Sequence, residues 1–219
     1  MRSVETTIQR LISRGLNPQL ENNPYLCFVY TSFQERATKL SHGATARLAL
    51  EHGSPQLADL CGKIAADEAR HEEAYKRIVG EIMKRDPDGA LLAFEDMMRK
   101  GILMPAHYMD DGQHAVENGG RSLFDDYAAV AQRMGVYTAQ DYASIVSHLV
   151  QRWGVAELEG LSGNAARSQE YLVKHAARME KLAEAAEERR ERAARKGRRR
   201  EPTRATFGWI RGKEVPLLG

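Results

Sequence analysis

With 219 residues, 42% hydrophobic and 28% charged, the chain can bury a sizeable core and does not have a disordered composition. Its formal net charge of +2 is unevenly spread: residues 189–204 hold nine Lys/Arg and two Asp/Glu, leaving 23 basic and 28 acidic residues elsewhere. Cys27 and Cys61 are too few for a disulfide scaffold and read as reduced thiols, and no apolar run approaches membrane-spanning length.

The opening residues MRSVETTIQRL read as an amphipathic helix rather than a signal or transit peptide, with Ser3 as its possible cap and Gly15 as its stop. Residues 16–23 form a turn-rich connection. A second helix is predicted from Pro24 to His52, ended by Gly53. Ser54-Pro55 caps and opens a third that runs to Arg85, where Asp86-Pro87-Asp88-Gly89 breaks it. Shorter helices follow near 90–100, 121–134, 138–153 and 164–196. Residues 109–120 read as a flexible loop, 197–204 as a basic linker, and Phe207-Gly208-Trp209-Ile210 as an apolar tail able to dock. The class is all-α. The basic segment lacks interleaved aromatics, which favours a solvated helix end over nucleic-acid recognition. Neither nucleic acid nor a membrane is expected as a partner.

Leu57, Cys61, Ile64, Tyr75, Ile78 and Ile82 recur at steps of three and four and predict one buried face of the third helix. Glu68 and His71 fall on that face, where a carboxylate and an imidazole are costly unless something satisfies them. Glu-x-x-His is how a helix presents two ligands to a di-metal site in four-helix carboxylate proteins. A short turn makes the second and third helices antiparallel, which places Glu35 opposite Glu68, on a stripe with Phe28, Thr38 and His42. Such donors suit iron, with manganese also compatible. The alternative is an inner glutamate paired with a neighbouring arginine, Arg36 or Arg70. His42, His52, His107, His148 and His175 read as capping, surface or packing residues, and Met97, Met98 and Met104 as core filler.

The stretches Ser32-Phe33-Gln34-Glu35-Arg36-Ala37-Thr38, Ala65-Ala66-Asp67-Glu68-Ala69-Arg70-His71-Glu72, Asp86-Pro87-Asp88-Gly89, Asp96-Met97-Met98-Arg99-Lys100, Met104-Pro105-Ala106-His107, Ala131-Gln132-Arg133-Met134-Gly135-Val136-Tyr137-Thr138, Arg152-Trp153 and Phe207-Gly208-Trp209-Ile210 resemble, in order, the soluble plant-type acyl-carrier-protein desaturases. The resemblance implies a ferritin-like helical bundle with two Fe(2+) per subunit, usually a homodimer in the plastid stroma. It implies O2-dependent insertion of a cis double bond into an acyl chain on acyl-carrier protein, with electrons from reduced ferredoxin. Carried over, Glu35 is a terminal iron ligand, Glu68 a bridging carboxylate and His71 an imidazole ligand. Thr38 is either a hydroxyl near the oxygen-binding face or one bonded to a backbone carbonyl, and Asp67 a carboxylate that orients an imidazole. Pro18, Tyr25, Cys27 and Phe28 begin the substrate pocket.

Three departures stand beside the resemblance. The family's other inward Glu and second Glu-x-x-Arg-His motif precede the region matching Met1, so a half-site and an incomplete bundle are expected here. Cys27 stands where the family usually has Gly, which would reshape the acyl tunnel or be tolerated as a small buried thiol. Residues 112–122 form a longer loop, with His114 and Glu117, that reads as a surface insertion. A desaturase domain is expected over 1–196, with a linker and docked tail over 197–219. A non-catalytic subunit and a ferritin-like iron-binding protein are the competing functions.

Overall fold

The computed structural model describes residues 2–15, 17–195, 203–210 and 213–217. Of the expected basic linker, 197–204, residues 197–202 lie outside them. The regular elements are α1 (Arg2–Arg14), α2 (Pro24–Glu51), α3 (Pro55–Arg85), α4 (Pro87–Lys100), α5 (His114–Glu117), α6 (Leu123–Arg133), α7 (Ala139–Arg152), α8 (Gly163–Arg195), β1 (Arg204–Thr206) and β2 (Glu214–Pro216). The all-α, ferritin-like class holds, although the antiparallel β1–β2 ladder was not expected. Two compact units are formed. One comprises Gln19–Ile102 and Val136–Glu188; the other comprises Met1–Pro18, Leu103–Gly135 and Arg189–Gly219.

In the first unit α2 and α3 form a long antiparallel hairpin. Asn23 caps α2 by accepting from the Tyr25 amide at 2.9 Å, and Pro24 occupies the first helical position. Gly53, at φ +77°, provides the left-handed step between the helices. Ser54 sits at the cap position of α3 but its side chain makes no capping bond, so Pro55 alone carries that start signal. The α2 hydroxyls are satisfied within the helix: Thr31, Ser32, Ser41 and Thr45 each donate to the carbonyl four residues back, at 2.7–2.9 Å.

Asp86 ends α3 and starts α4. Its carboxylate accepts from the Gly89 amide at 3.0 Å and from the Tyr25 hydroxyl at 3.0 Å, tying the start of α2 to this corner. A Cβ on Gly89 would sit 2.5 Å from that carboxylate and 2.9 Å from the Tyr25 ring, so only glycine fits. The core lies against α2, α4 and α7: Val29, Phe33, Val79, Leu91, Phe94, Met97, Ile145, Val146 and Leu149 are all at most 1% exposed. Phe94 meets Trp153 edge-on at 4.9 Å, and the Trp153 indole donates to the Lys76 carbonyl at 3.1 Å.

The buried line of α3 differs from the expected one. It runs through Cys61, Glu72, Lys76, Val79 and Met83, whereas Leu57 is 44% exposed and Ile78 38%. The two lines are about 90° apart on a helix of 3.6 residues per turn. α3 therefore carries apolar residues over a wide arc, of which this unit covers one side.

In the second unit α1 starts at Arg2, so Ser3 lies inside its first turn rather than capping it. Residues 109–120 are not a flexible loop. They contain α5, whose His114 is 1% exposed, and Asn118 is 6% exposed, so reading this stretch as a surface insertion was incorrect. His114 Nε2 lies 2.8 Å from the buried Asp126 carboxylate, which also accepts from Arg121 at 2.9 Å. Asn118 clamps the C-terminal ladder, accepting from the Thr206 amide at 2.8 Å and donating to its carbonyl at 3.0 Å. Arg121 donates to the Arg204 carbonyl at 2.9 Å. Phe207, Ala205 and Leu217 pack on Leu123, which docks the tail as its apolar composition suggested.

Candidate metal centre

The hairpin register sets Glu35 of α2 level with Glu68 and His71 of α3. One donor atom from each lies within 4.8 Å of the other two. His71 Nδ1 is 3.1 Å from a Glu68 oxygen and 3.3 Å from a Glu35 oxygen. The carboxylates are largely covered, at 16% and 19% side-chain exposure, while the imidazole is 57% exposed.

Desolvation, followed by a hydrogen bond to Glu68 and its charge, pushes the Glu35 carboxyl up to about 7. Burial also acts to raise Glu68, but hydrogen bonds from Glu35 and His71 outweigh it and hold that carboxyl below its ordinary range. The pair thus shares one proton near neutral pH, because two facing carboxylates cannot both ionise cheaply. A divalent cation would displace that proton.

The arginines that could have neutralised this pair go elsewhere. Arg70 pairs with Asp67 on the surface. Arg36 reaches Glu72 at 2.7 Å. The residues present therefore fit a metal ion: two converging carboxylates and an imidazole, with no Arg or Lys side chain among the described residues inserted between them.

Glu72 was missed from sequence. Its side chain is 2% exposed and is surrounded by Arg36, Lys39 and Lys76, with His148 Nε2 at 3.6 Å. Burial opposes its ionisation, but the hydrogen bonds from Lys39, Lys76 and Arg36 hold the carboxyl down at about 2. Part of the signal was available, since Lys76 follows Glu72 by one helical turn, but Arg36 and Lys39 reach Glu72 along α3 through their long side chains. Burial and the nearby Arg36 and Lys76 charges push His148 down to about 4, so its imidazole is neutral here.

The other residues singled out from sequence are placed as follows. The Thr38 hydroxyl donates to the Gln34 and Glu35 carbonyls, at 3.1 and 3.0 Å. Asp67 is exposed and paired with Arg70, and it makes no hydrogen bond or ion pair to His71. Tyr25 is held by Asp86, Phe28 lies 6.3 Å from the Tyr75 ring, and Cys27 is a half-buried free thiol beside them in the first turn of α2. Pro18 ends the Met1–Pro18 segment of the other unit. His107 accepts from the Met104 amide in the turn Pro105–Tyr108, and Met97 and Met98 are core residues as expected.

A family model described as fatty acid desaturase matches residues 1–211. The chain is 53% identical over 217 residues to a stearoyl-[acyl-carrier-protein] 9-desaturase, chloroplastic, of Brassica napus, covering 99% of this chain and 51% of the relative. It is 55% identical over 216 residues to stearoyl-[acyl-carrier-protein] 9-desaturase 1, chloroplastic, of Oryza sativa subsp. japonica, covering 98% and 53%. To an acyl-[acyl-carrier-protein] desaturase, chloroplastic, of Cucumis sativus it is 52% identical over 217 residues, covering 99% and 51%. The chain thus spans about half the length of the curated relatives it matches. With its family-model match running through the helices that bring Glu35, Glu68 and His71 together, the chain belongs to the fatty acid desaturase family.

Proposed function

We propose that this chain supplies the α2–α3 half of a di-iron centre that introduces a cis double bond into a saturated acyl chain carried on acyl-carrier protein, with O2 as oxidant and reduced ferredoxin as electron donor. The observation that carries this reading is the convergence of Glu35, Glu68 and His71, with no arginine or lysine partner among the described residues. The names of the relatives give the substrate class and, as chloroplastic enzymes, support a plastid stroma location.

Two irons, when bound, would supply the oxidising power needed to take hydrogen from an unactivated CH2. The chain's own residues prepare for that cation. On binding it, Glu35 and Glu68 would lose their shared proton to solvent, and His71 would add an imidazole nitrogen donor. Glu72 and its cations sit one turn from the donors and lock α2 to α3, which holds the donor register. Tyr25, Cys27 and Phe28 are proposed to begin the acyl pocket, with the Tyr25 hydroxyl satisfied by Asp86 so that its ring offers only apolar surface. The thiol of Cys27 would narrow that pocket relative to glycine. Thr38 and Asp67 are proposed to act beside the donors, Asp67 by orienting an imidazole.

The test is desaturation of stearoyl-acyl-carrier protein by the chain with iron(II), reduced ferredoxin and O2, alone and combined with the upstream half of the Brassica napus relative. A monounsaturated acyl product that disappears in Glu68→Ala is expected. No product in either arrangement overturns the proposal.

A further inference from the structure

We propose that an open pocket on α3, beside the turn that follows α7, binds a phosphate group, either as the free ion or at the end of a phosphate monoester. The pocket has a volume of about 360 Å3 and lies within the first unit. α3 supplies Lys76, Arg77, Gly80, Glu81 and Lys84 to its wall, and Arg152 joins them from the end of α7. The Trp153 indole, bonded to the Lys76 carbonyl at 3.1 Å, fixes that turn against α3. Arg77, Gly80 and Lys84 lie about 150–170° around the helix from the mean direction of Glu68 and His71, at 3.6 residues per turn. The pocket is therefore on the far side of α3 from the metal donors, and the proposal is independent of them.

Positive charge is in surplus at this pocket. Glu73 is shared by Arg77 at 2.8 Å, Arg152 at 3.4 Å and Lys76 at 3.5 Å, and Lys84 pairs with Glu81 at 2.7 Å. Lys76 also reaches Glu72 at 2.9 Å, where Arg36 and Lys39 already bond. Six cations thus serve three carboxylates in this connected set. His148, 3.3 Å from the Lys76 ammonium, feels the excess: burial and the Arg36 and Lys76 charges hold it down at about 4 against the pull of Glu72. A phosphate would offset that surplus through charge-assisted hydrogen bonds. The Arg77, Lys84 and Arg152 side chains are 74%, 72% and 45% exposed. Ion pairs at such exposure are worth little, so these cations can turn to an incoming anion at small cost.

Gly80 gives the pocket its shape. Lys76, Gly80 and Lys84 form one stripe of α3 at steps of four. A glycine inside a helix is destabilising relative to alanine, and packing does not require one here, because a Cβ on Gly80 would meet nothing within 4 Å. Its effect is to leave the helix backbone bare on the pocket wall between two lysines, where any side chain would occupy the space of a ligand.

The test follows amide and indole resonances of the full chain by NMR in a low-salt buffer, during titration with inorganic phosphate and with phenyl phosphate. Sodium chloride at matched ionic strength is the control. Saturable shifts are expected at the Gly80 and Lys84 amides and the Trp153 indole, with none at Phe207. Lys84→Ala and Arg152→Ala should each weaken binding by about tenfold or more. Gly80→Glu should abolish it while the urea midpoint stays level or rises, since glutamate is the better helix former. If that midpoint falls instead, Lys84→Ala carries the test. Tighter binding of phenyl phosphate assigns the site to a monoester, and equal or weaker binding assigns it to the free ion; either supports the proposal. Shifts that sodium chloride reproduces, or binding that survives both Gly80→Glu and Lys84→Ala, overturn it, as does the absence of saturable binding.

Discussion

Glu72 shows how far a single side chain can depart from its expected setting. In sequence, Arg36 reads as a possible partner for an inner glutamate at 35 or 68, and nothing singles out Lys39, Lys76 and Glu72. In the fold Arg36, Lys39 and Lys76 enclose a carboxylate that is 2% exposed, and the three cations hold it ionised. His148 belongs to this cluster as its neutral member. Burial and the Arg36 and Lys76 charges lower its proton affinity from 6.5 to about 4. The unfolded chain takes up a proton below pH 6.5 that the folded chain refuses until about pH 4. This group's contribution to stability is therefore complete above pH 6.5 and falls as the pH drops towards 4, by about 2 kcal/mol at pH 5. His148→Phe should narrow the gap between the urea midpoints at pH 7.5 and pH 5; an unchanged gap would mean that other groups set the acid sensitivity. The donor trio was legible because a Glu-x-x-His spacing and a hairpin register are both local arithmetic. The Glu72 cluster was harder to read because it also needs α7 to arrive with His148.

At the scale of elements, most helix boundaries were legible to within a few residues, since proline, glycine and the Asp86 corner act through the backbone itself. The face that each helix buries was less so. On α3 the expected line through Leu57, Ile78 and Ile82 lies beside the buried line through Val79 and Met83. A mutational contrast follows. In EDTA, Met83→Ala should cost about 2–5 kcal/mol, as large-to-small changes in a packed core do, and Ile78→Ala no more than about 1 kcal/mol. Equal losses in urea titrations would place the core of this unit on the wrong side of α3. Residues 109–120 were misread for a related reason. Glycines and polar side chains there suggested a mobile loop, yet α5 buries His114 and Asn118 against Asp126 and the C-terminal ladder. Strands of three residues are too short to show a period, so β1 and β2 left no sequence signal.

For the molecule as a whole, the C-terminal ladder depends on residues far earlier in the chain. Asn118→Ala removes both bonds to Thr206, leaving a backbone amide and carbonyl without partners, at a cost of about 1–3 kcal/mol. Hydrogen exchange should show protection lost at Thr206 and its ladder neighbours and unchanged at Phe33 and Val79; loss at all of these would mean that the clamp supports the first unit too. Sequence by itself determined the helical class, the breaks between helices, the resemblance to the desaturases and the level of Glu35 with Glu68 and His71. All of these follow from local backbone preferences and from the register of one tight turn. Only the tertiary structure decided which side of α3 is covered, that Glu72 is buried among cations, and that α5 holds the C-terminal ladder. Those outcomes depend on which surfaces distant segments bring to a helix, and helical periodicity shows an apolar arc without showing what will cover it.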